Sequence, residues 1–336
     1  MAFRQIQGQE SALSILRQAL IHGRLAHAYL FVGPDGVGKR LAALTLAKAM
    51  NCLAPPEAAE ACEQCSSCSK INSSNHADVL LIEPEGDFIK IDQVRELQKR
   101  LRFRPLEGGR RACILDGADR LNEAAANALL KTLEEPPAET HLFLITARPH
   151  HLLPTILSRC QWVKFKSLAR SHVAQILQSQ SSLSAEQAYF YSSLSGGSAS
   201  RALSLGDRMD FQKRLDWLRA FGEVFQKSSL EILDLCEKIF KEEEEVQDLL
   251  DLWKFWVRDL LVYQVGGAEK EDRFINQDCL KEIGRQAHQF TFDQLQDFFR
   301  QISEIQKFIS MKVNRQLALE TLMLEMREKG REAQAV

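Results

Sequence analysis

No stretch of about 18 apolar residues occurs in this chain, which excludes an ordinary transmembrane helix. The opening residues, Met1-Ala2-Phe3-Arg4-Gln5, lack the basic-then-apolar order of a secretory leader, so a cytosolic location is expected. There is no basic excess either, because 43 Lys and Arg stand against 45 Asp and Glu. A chain that gripped DNA unaided would carry surplus positive charge to displace counterions. Any nucleic-acid role must therefore use a local patch or contacts shared within an assembly. The sequence also lacks tandem repeats and the acidic metal-binding constellation that polymerase chemistry requires. What remains is a chain of 336 residues, long enough for two or three compact units. Its 45 % hydrophobic content suits a globular protein with a real core.

The first half alternates strand and helix signals. Apolar runs at Ala28-Tyr29-Leu30-Phe31-Val32, Val79-Leu80-Leu81-Ile82, Ala112-Cys113-Ile114-Leu115 and Leu142-Phe143-Leu144-Ile145 read as buried strands. Helices are predicted from about Lys39 to Met50, from a cap at Asp92 to about Leu101, and from Glu123 to Glu135. Asn122 opens the last of these and Pro136-Pro137 stops it. Such alternation predicts a parallel sheet covered on both faces by helices.

From about Ser167 the strand signals disappear. A small helical unit is expected near Leu168 to Leu205, broken by Gly196-Gly197, and long amphipathic helices from about Asp207 to Lys329. Ile309, Val313, Leu317 and Leu324 are expected on one face of the last helix, with Met323 and Met326 beside it. Trp253, Phe255 and Trp256 read as core or subunit interface, and the run Lys241 with Glu242 to Glu245 as a solvated face or linker. The expected layout is an α/β unit at 1–166, a small all-α unit at 167–207, a larger all-α unit at 208–330 and a tail at 331–336.

Gly33-Pro34-Asp35-Gly36-Val37-Gly38-Lys39 lies between a strand and a helix, the setting of a phosphate-binding loop. Its glycines let backbone N–H groups approach phosphate, the helix N-terminus favours an anion, and lysine bridges phosphate oxygens. Two groups are missing. The hydroxyl that usually follows the lysine and ligates Mg²⁺ is replaced by Arg40. Asp116, ending the third strand, can hold Mg²⁺ through water, but Gly117 follows where a carboxylate would polarise attacking water. Whether ATP and Mg²⁺ are bound is left open by these residues, and hydrolysis is not expected.

Cys52, Cys62, Cys65 and Cys68 place four thiolates within 17 residues, between the phosphate-loop helix and the next strand. Four soft ligands suit tetrahedral structural Zn²⁺. An iron–sulfur cluster accepts the same set, His76 offers a replacement ligand, and unliganded cysteines are the third alternative.

The segments Asn127-Ala128-Leu129-Leu130-Lys131-Thr132-Leu133-Glu134-Glu135-Pro136-Pro137 and Pro154-Thr155-Ile156-Leu157-Ser158-Arg159-Cys160 closely resemble bacterial clamp-loader subunits of the AAA+ family. Val313-Asn314-Arg315-Gln316-Leu317 resembles their last collar helix, and the four-cysteine insertion is similar in place and spacing. The resemblance covers nearly the whole chain. It implies an AAA+ core carrying a zinc module, a helical lid and a helical collar, in a hetero-pentamer with gamma/tau and delta subunits. It further implies loading of a sliding clamp on primer-template DNA within the DNA polymerase III holoenzyme, a DNA-directed DNA polymerase and nucleotidyltransferase as an assembly.

Lys39-Arg40 and Asp116-Gly117, beside an intact Ser158-Arg159-Cys160, resemble the non-motor delta-prime branch rather than the hydrolysing gamma/tau branch. The resemblance gives Arg159 the role of an arginine finger acting in trans on a neighbour's ATP. It places Thr146 in the sensor-1 region and Arg201 at the sensor-2 position. The rival readings are a competent gamma/tau-type ATPase and a free-standing zinc-dependent nucleic-acid binder. Lys99, Arg100, Arg102, Arg104, Arg110 and Arg111 form a basic run that could face DNA or be a solvated helix end.

Overall fold

The computed structural model describes residues 3–107, 109–208, 211–240, 246–267, 273–310 and 314–332. Strands β1 (Ala28–Val32), β2 (Val79–Ile82), β3 (Arg111–Asp116), β4 (Thr140–Thr146) and β5 (Gln161–Lys164) form one sheet in the order β2-β3-β4-β1-β5. Every pairing is parallel. Strand β5 was not among the expected ones, because only Val163 of its four residues is buried and no apolar run marks it.

Successive strand residues point to opposite faces, so the apolar runs feed two cores. Tyr29, Phe31, Ile114, Phe143 and Ile145 pack with Leu16 of α1 (Glu10–Ile21) and with Ala42 and Leu46 of α2 (Lys39–Asn51). A short α3 (Ser66–Asn72) lies within the cysteine insertion. On the other face, Leu30, Cys113, Leu115, Leu142 and Leu144 meet α4 (Ile91–Leu101), α5 (Glu123–Glu134) and α6 (Pro154–Leu157). Truncating one such leucine to alanine costs about 2–5 kcal/mol, against about 1 kcal/mol or less for an exposed ion pair. The two-faced core therefore holds the sheet.

Local capping decides where the helices start. Asn122 Oδ1 accepts from Ala125 N at 2.8 Å, as its position predicts. Helix α4 departs from expectation. It starts at Ile91, and Gln93 Oε1 accepts from the backbone N–H of Lys90 at 2.9 Å. Asp92 sits in the first turn, where its charge complements the helix dipole without capping it.

The chain divides into two compact units, Met1–Gln180 with Ser195–Ala202, and Ser181–Leu194 with Leu203–Val336. The helical stretch that follows the sheet, α7 (Arg170–Gln180), α8 (Ala185–Leu194) and α9 (Ala199–Arg208), contributes to both. The second unit continues through α10 (Phe211–Val224), α11 (Ser229–Phe240), α12 (Val246–Gly266), α13 (Leu280–Ala287), α14 (Phe292–Ser310) and α15 (Arg315–Glu332).

Trp253 and Trp256 are buried in that unit, and their indole N–H groups donate to Trp217 O at 2.8 Å and Gln286 Oε1 at 3.0 Å. They are core. Arg214 is fully buried, its guanidinium 4.4 Å from the Phe190 ring centre and 4.1 Å from that of Phe211, and it pairs with Asp278. The expected stripe on the last helix is corrected. Helix α14 ends at Ser310 and α15 begins at Arg315, so Ile309 belongs to a different helix from Leu317 and Leu324. Leu317 is exposed, while Leu319, Leu322, Met323 and Met326 are buried. Val313, the run Lys241 to Glu245 and residues 333–336 lie outside the described residues. Among the described residues no helix is long and apolar enough to cross a membrane.

Candidate nucleotide-binding edge, arginine finger and cysteine cluster

Parallel sheets place ligand sites beyond the carboxyl ends of their strands. The loop from Gly33 to Gly38 leaves β1 there, Asp116 ends β3 and Thr146 ends β4. Gly36 and Gly38 have φ of 72° and 98°, the left-handed region that β-carbons disfavour. The lysine of the motif is turned onto its own loop. Lys39 Nζ donates to Gly33 O at 2.5 Å and Pro34 O at 2.6 Å, with Asp35 at 3.6 Å. Burial lowers its pKa, while the charges of Asp35 and Asp116 oppose that shift.

Arg40 reaches the carboxylate that the sequence offers as a metal ligand. Its guanidinium pairs with Glu83 and lies 3.5 Å from Asp116 Oδ2. The carboxylate expected to face a hydrated Mg²⁺ thus already has a cationic partner from the chain itself. Burial pushes the Asp116 carboxyl above its ordinary range, and Arg40 pulls it back. Gly117 has φ of 79°, and a β-carbon built there would lie 3.3 Å from Pro84 Cγ. A catalytic carboxylate therefore has no relaxed place at 117 on this backbone.

Thr146 Oγ1 donates to Asp119 Oδ1 at 2.8 Å and accepts from Arg148 N at 2.9 Å. Asp119 is thereby engaged as an acceptor. Asp35, Glu83, Asp116, Asp119, Arg120 and Arg148 line a polar cavity of about 220 Å³ with Gly117 and Thr146. The start of α9 seals the loop from another side. Ala199 N and Ser200 N donate to Gly36 O at 2.9 and 3.3 Å. Arg201 follows in the first turn of α9, exposed, with its backbone N–H donating to Ser198 Oγ at 3.3 Å.

Arg159 lies away from these groups, just after α6. Its Nη1 donates to Thr155 O at 2.9 Å and Ser158 Oγ at 3.4 Å, and its Nη2 to Glu134 Oε1 at 2.7 Å. Neither Glu83 nor Glu134 was among the expected site residues. The only signal for Glu83 was indirect, since an arginine at a metal-ligand position calls for a countercharge.

The cysteine cluster assembles as its spacing predicts. The sulfurs of Cys52, Cys62, Cys65 and Cys68 all lie within 4.8 Å of one another. The cluster could hold a metal ion, and the donor set is compatible with structural zinc. Cys62 N, Cys65 N and Cys68 N donate to the sulfurs of Cys52, Cys62 and Cys65 at 3.3, 3.3 and 3.5 Å. Burial would raise the Cys65 thiol, yet hydrogen bonds from the backbone N–H groups of Cys68 and Leu53 and from the Cys68 and Cys62 side chains together outweigh it and bring the pKa to about 6. Glu63, held at a φ of 63°, accepts from buried Lys48 at 2.6 Å and ties the knuckle to α2. His76 does not join the cluster. Its Nδ1 accepts from Asp78 N at 3.1 Å and its Nε2 faces Ser67 Oγ at 3.1 Å.

The basic run divides on folding. Arg111 is 3 % exposed, and its guanidinium donates to the carbonyls of Arg100, Phe103 and Arg104 at 3.1, 2.9 and 3.1 Å. Asp78, fully buried 3.4 Å from Arg111, accepts from Leu106 N and Glu107 N. Arg111 therefore cannot face DNA, because the first position of β3 buries it as a clamp on the preceding loop. Lys99 and Arg100 pair with Glu96, and Arg110 with Glu139. Arg102 and Arg104 are exposed, flanking Phe103, which is also exposed.

A parallel α/β core with a glycine-rich loop after its first strand and an arginine paired to Asp116 carries a four-cysteine module and is followed by helices. The family "DNA polymerase III, delta subunit" matches residues 8–169, and "DNA polymerase III, delta subunit, C terminal" matches residues 209–328. The DNA polymerase III subunit delta' of Bacillus subtilis is 34 % identical over 95 % of this chain and 96 % of that protein. The subunit tau of the same organism is 31 % identical over 78 % of this chain and 50 % of that protein. A solved Thermotoga maritima protein related to the DNA polymerase III gamma subunit has a TM-score of 0.46 and 22 % identity, covering 95 % of this chain and 99 % of its own. The chain belongs to the delta-prime family of DNA polymerase III clamp-loader subunits.

Proposed function

We propose that this chain is the non-motor subunit of a replicative clamp loader. It assembles with gamma/tau and delta subunits into a hetero-pentamer that places a sliding clamp on primer-template DNA. Residues 1–166 act as the AAA+ core, 167–207 as the lid and 208–330 as the collar. The cysteines hold one structural Zn²⁺, which stabilises the knuckle and takes no part in catalysis. The chain works in the cytoplasm as a component of the polymerase assembly and turns over no ATP by itself.

The observation that carries this reading is Arg40 on Glu83 and Asp116, next to a glycine in the left-handed region at 117. A guanidinium at the metal position and no carboxylate for water disfavour both halves of phosphoryl-transfer catalysis. Arg159 then has no nucleotide of its own subunit to serve. It completes the ATP site of a neighbouring subunit, where a planar, permanent charge suits the γ-phosphate oxygens in the transition state.

The test is a loader reconstituted with Arg159→Ala in this subunit alone. Assembly and zinc content stay normal, while ATP turnover stimulated by DNA and clamp falls. Lysine at 159 rescues poorly, since a point charge lacks the fork of donors. Normal assembly with unchanged turnover overturns the role of Arg159. Steady-state turnover by the isolated chain, abolished by Lys39→Ala, would favour the gamma/tau-type ATPase instead.

A further inference from the structure

A guanidinium has five N–H donors. Arg159 commits two from Nη1, to Thr155 O and Ser158 Oγ, and one from Nη2, to Glu134 Oε1. By that count two N–H donors remain for an incoming group such as a phosphate. The carbonyl and hydroxyl partners come from α6 and the residue after it, the same short segment that carries Arg159. Glu134 comes from the end of α5, 25 residues earlier, and is the one charged partner in the set. Cys160, the next residue, is buried and fixes the backbone beneath the arginine.

We propose that Glu134 is the positioning residue of Arg159, holding the guanidinium at the surface with two donors left for a neighbour's phosphate. This rests on the reading of Arg159 as a residue that acts in trans, and it names the side chain through which that action is tuned. The Arg159 and Glu134 side chains are 35 % and 50 % exposed. Water therefore screens the pair, so Glu134 orients the arginine without trapping it. A carboxylate here also keeps a long, rotamer-rich side chain from sampling solvent, and less order is lost when the phosphate arrives.

The experiment uses the complete reconstituted loader, with Glu134→Ala, Glu134→Gln and Arg159→Ala alone and Glu134→Ala combined with Arg159→Ala. Stimulated kcat should fall about two- to fivefold for Glu134→Ala, the range of an exposed ion pair. Glu134→Gln, which keeps the acceptor oxygen and loses the charge, should fall less. KM for ATP should move little, and in the Arg159→Ala background Glu134→Ala should change nothing further. Zinc content and ring assembly should match wild type throughout; if Glu134→Ala fails to assemble, the isosteric glutamine decides. Unchanged or raised kcat, or a loss that persists without Arg159, overturns the role of Glu134. If Arg159→Ala lowers turnover and neither Glu134 variant does, only this inference falls. If Arg159→Ala has no effect, the in-trans reading falls and takes this inference with it.

Discussion

Arg40→Thr restores the hydroxyl that ordinarily follows the lysine of a phosphate loop, and it should not restore hydrolysis. Removing Arg40 leaves Glu83 and Asp116 without their shared cation. The Arg40, Glu83 and Asp116 side chains are 43, 50 and 28 % exposed, so solvent screens the lost attraction. The expected cost is about 1 kcal/mol, well below the about 3–5 kcal/mol of breaking a buried pair. Its pH dependence follows from Asp116. Burial raises that carboxyl, Arg40 lowers it and Glu83 raises it, so losing Arg40 moves it further up. A carboxyl whose folded pKa exceeds its unfolded value stabilises the fold while protonated, and that contribution is lost as pH rises through the folded pKa.

The destabilisation by Arg40→Thr should therefore grow as pH rises from acid towards neutrality, as read from denaturant midpoints across that range. ATP turnover should not exceed that of a Lys39→Ala control. Adding Gly117→Glu supplies a carboxylate on a left-handed backbone against Pro84, at a further cost of about 1–2 kcal/mol. A variant more stable than wild type at neutral pH would refute the ion-pair argument. Mg²⁺-dependent turnover by Arg40→Thr, abolished by Lys39→Ala, would refute the catalytic one.

Two further outcomes are expected. Purified wild-type chain should carry one zinc per molecule by elemental analysis, and Cys65→Ser should lower metal content and thermal stability together; no zinc, or iron with visible absorbance, would contradict the cysteine assignment. Arg111→Met should destabilise the α/β unit by about 3–5 kcal/mol, because it leaves Asp78 charged and buried. A loss below about 1 kcal/mol by chemical denaturation would show that the clamp is not held by charge.

Four strands were legible because each is written as an uninterrupted apolar run, and β5 was not because Gln161 and Lys164 bracket its two apolar residues. The cysteine cluster was legible because its ligands are close in sequence. Glu83 and Glu134 were not, since they meet Arg40 and Arg159 across 43 and 25 residues and only the folded chain brings them together. Arg111 reads as part of a charged surface run, yet the β3 register places it beside a buried aspartate. The final helices misled a periodic reading because a stripe spaced for one helix crosses from α14 into α15. Met323 and Met326, placed beside that stripe, are the residues the core uses.

The carbonyl of Gly36 receives two amides from the start of α9, and a β-carbon at 36 would lie 2.1 and 2.2 Å from the hydroxyl oxygens of Ser200 and Ser198. The φ of 72° at 36 favours glycine on backbone grounds, and the two serine hydroxyls would have to turn away from any side chain placed there, whether or not an anion binds. A glycine in a phosphate-loop pattern is therefore not by itself a sign of bound phosphate, since the fold has its own use for the residue at this position. A bulkier residue at 36 would disturb the loop and the seating of the start of α9 together, so a binding assay on that variant alone would not separate phosphate affinity from local packing.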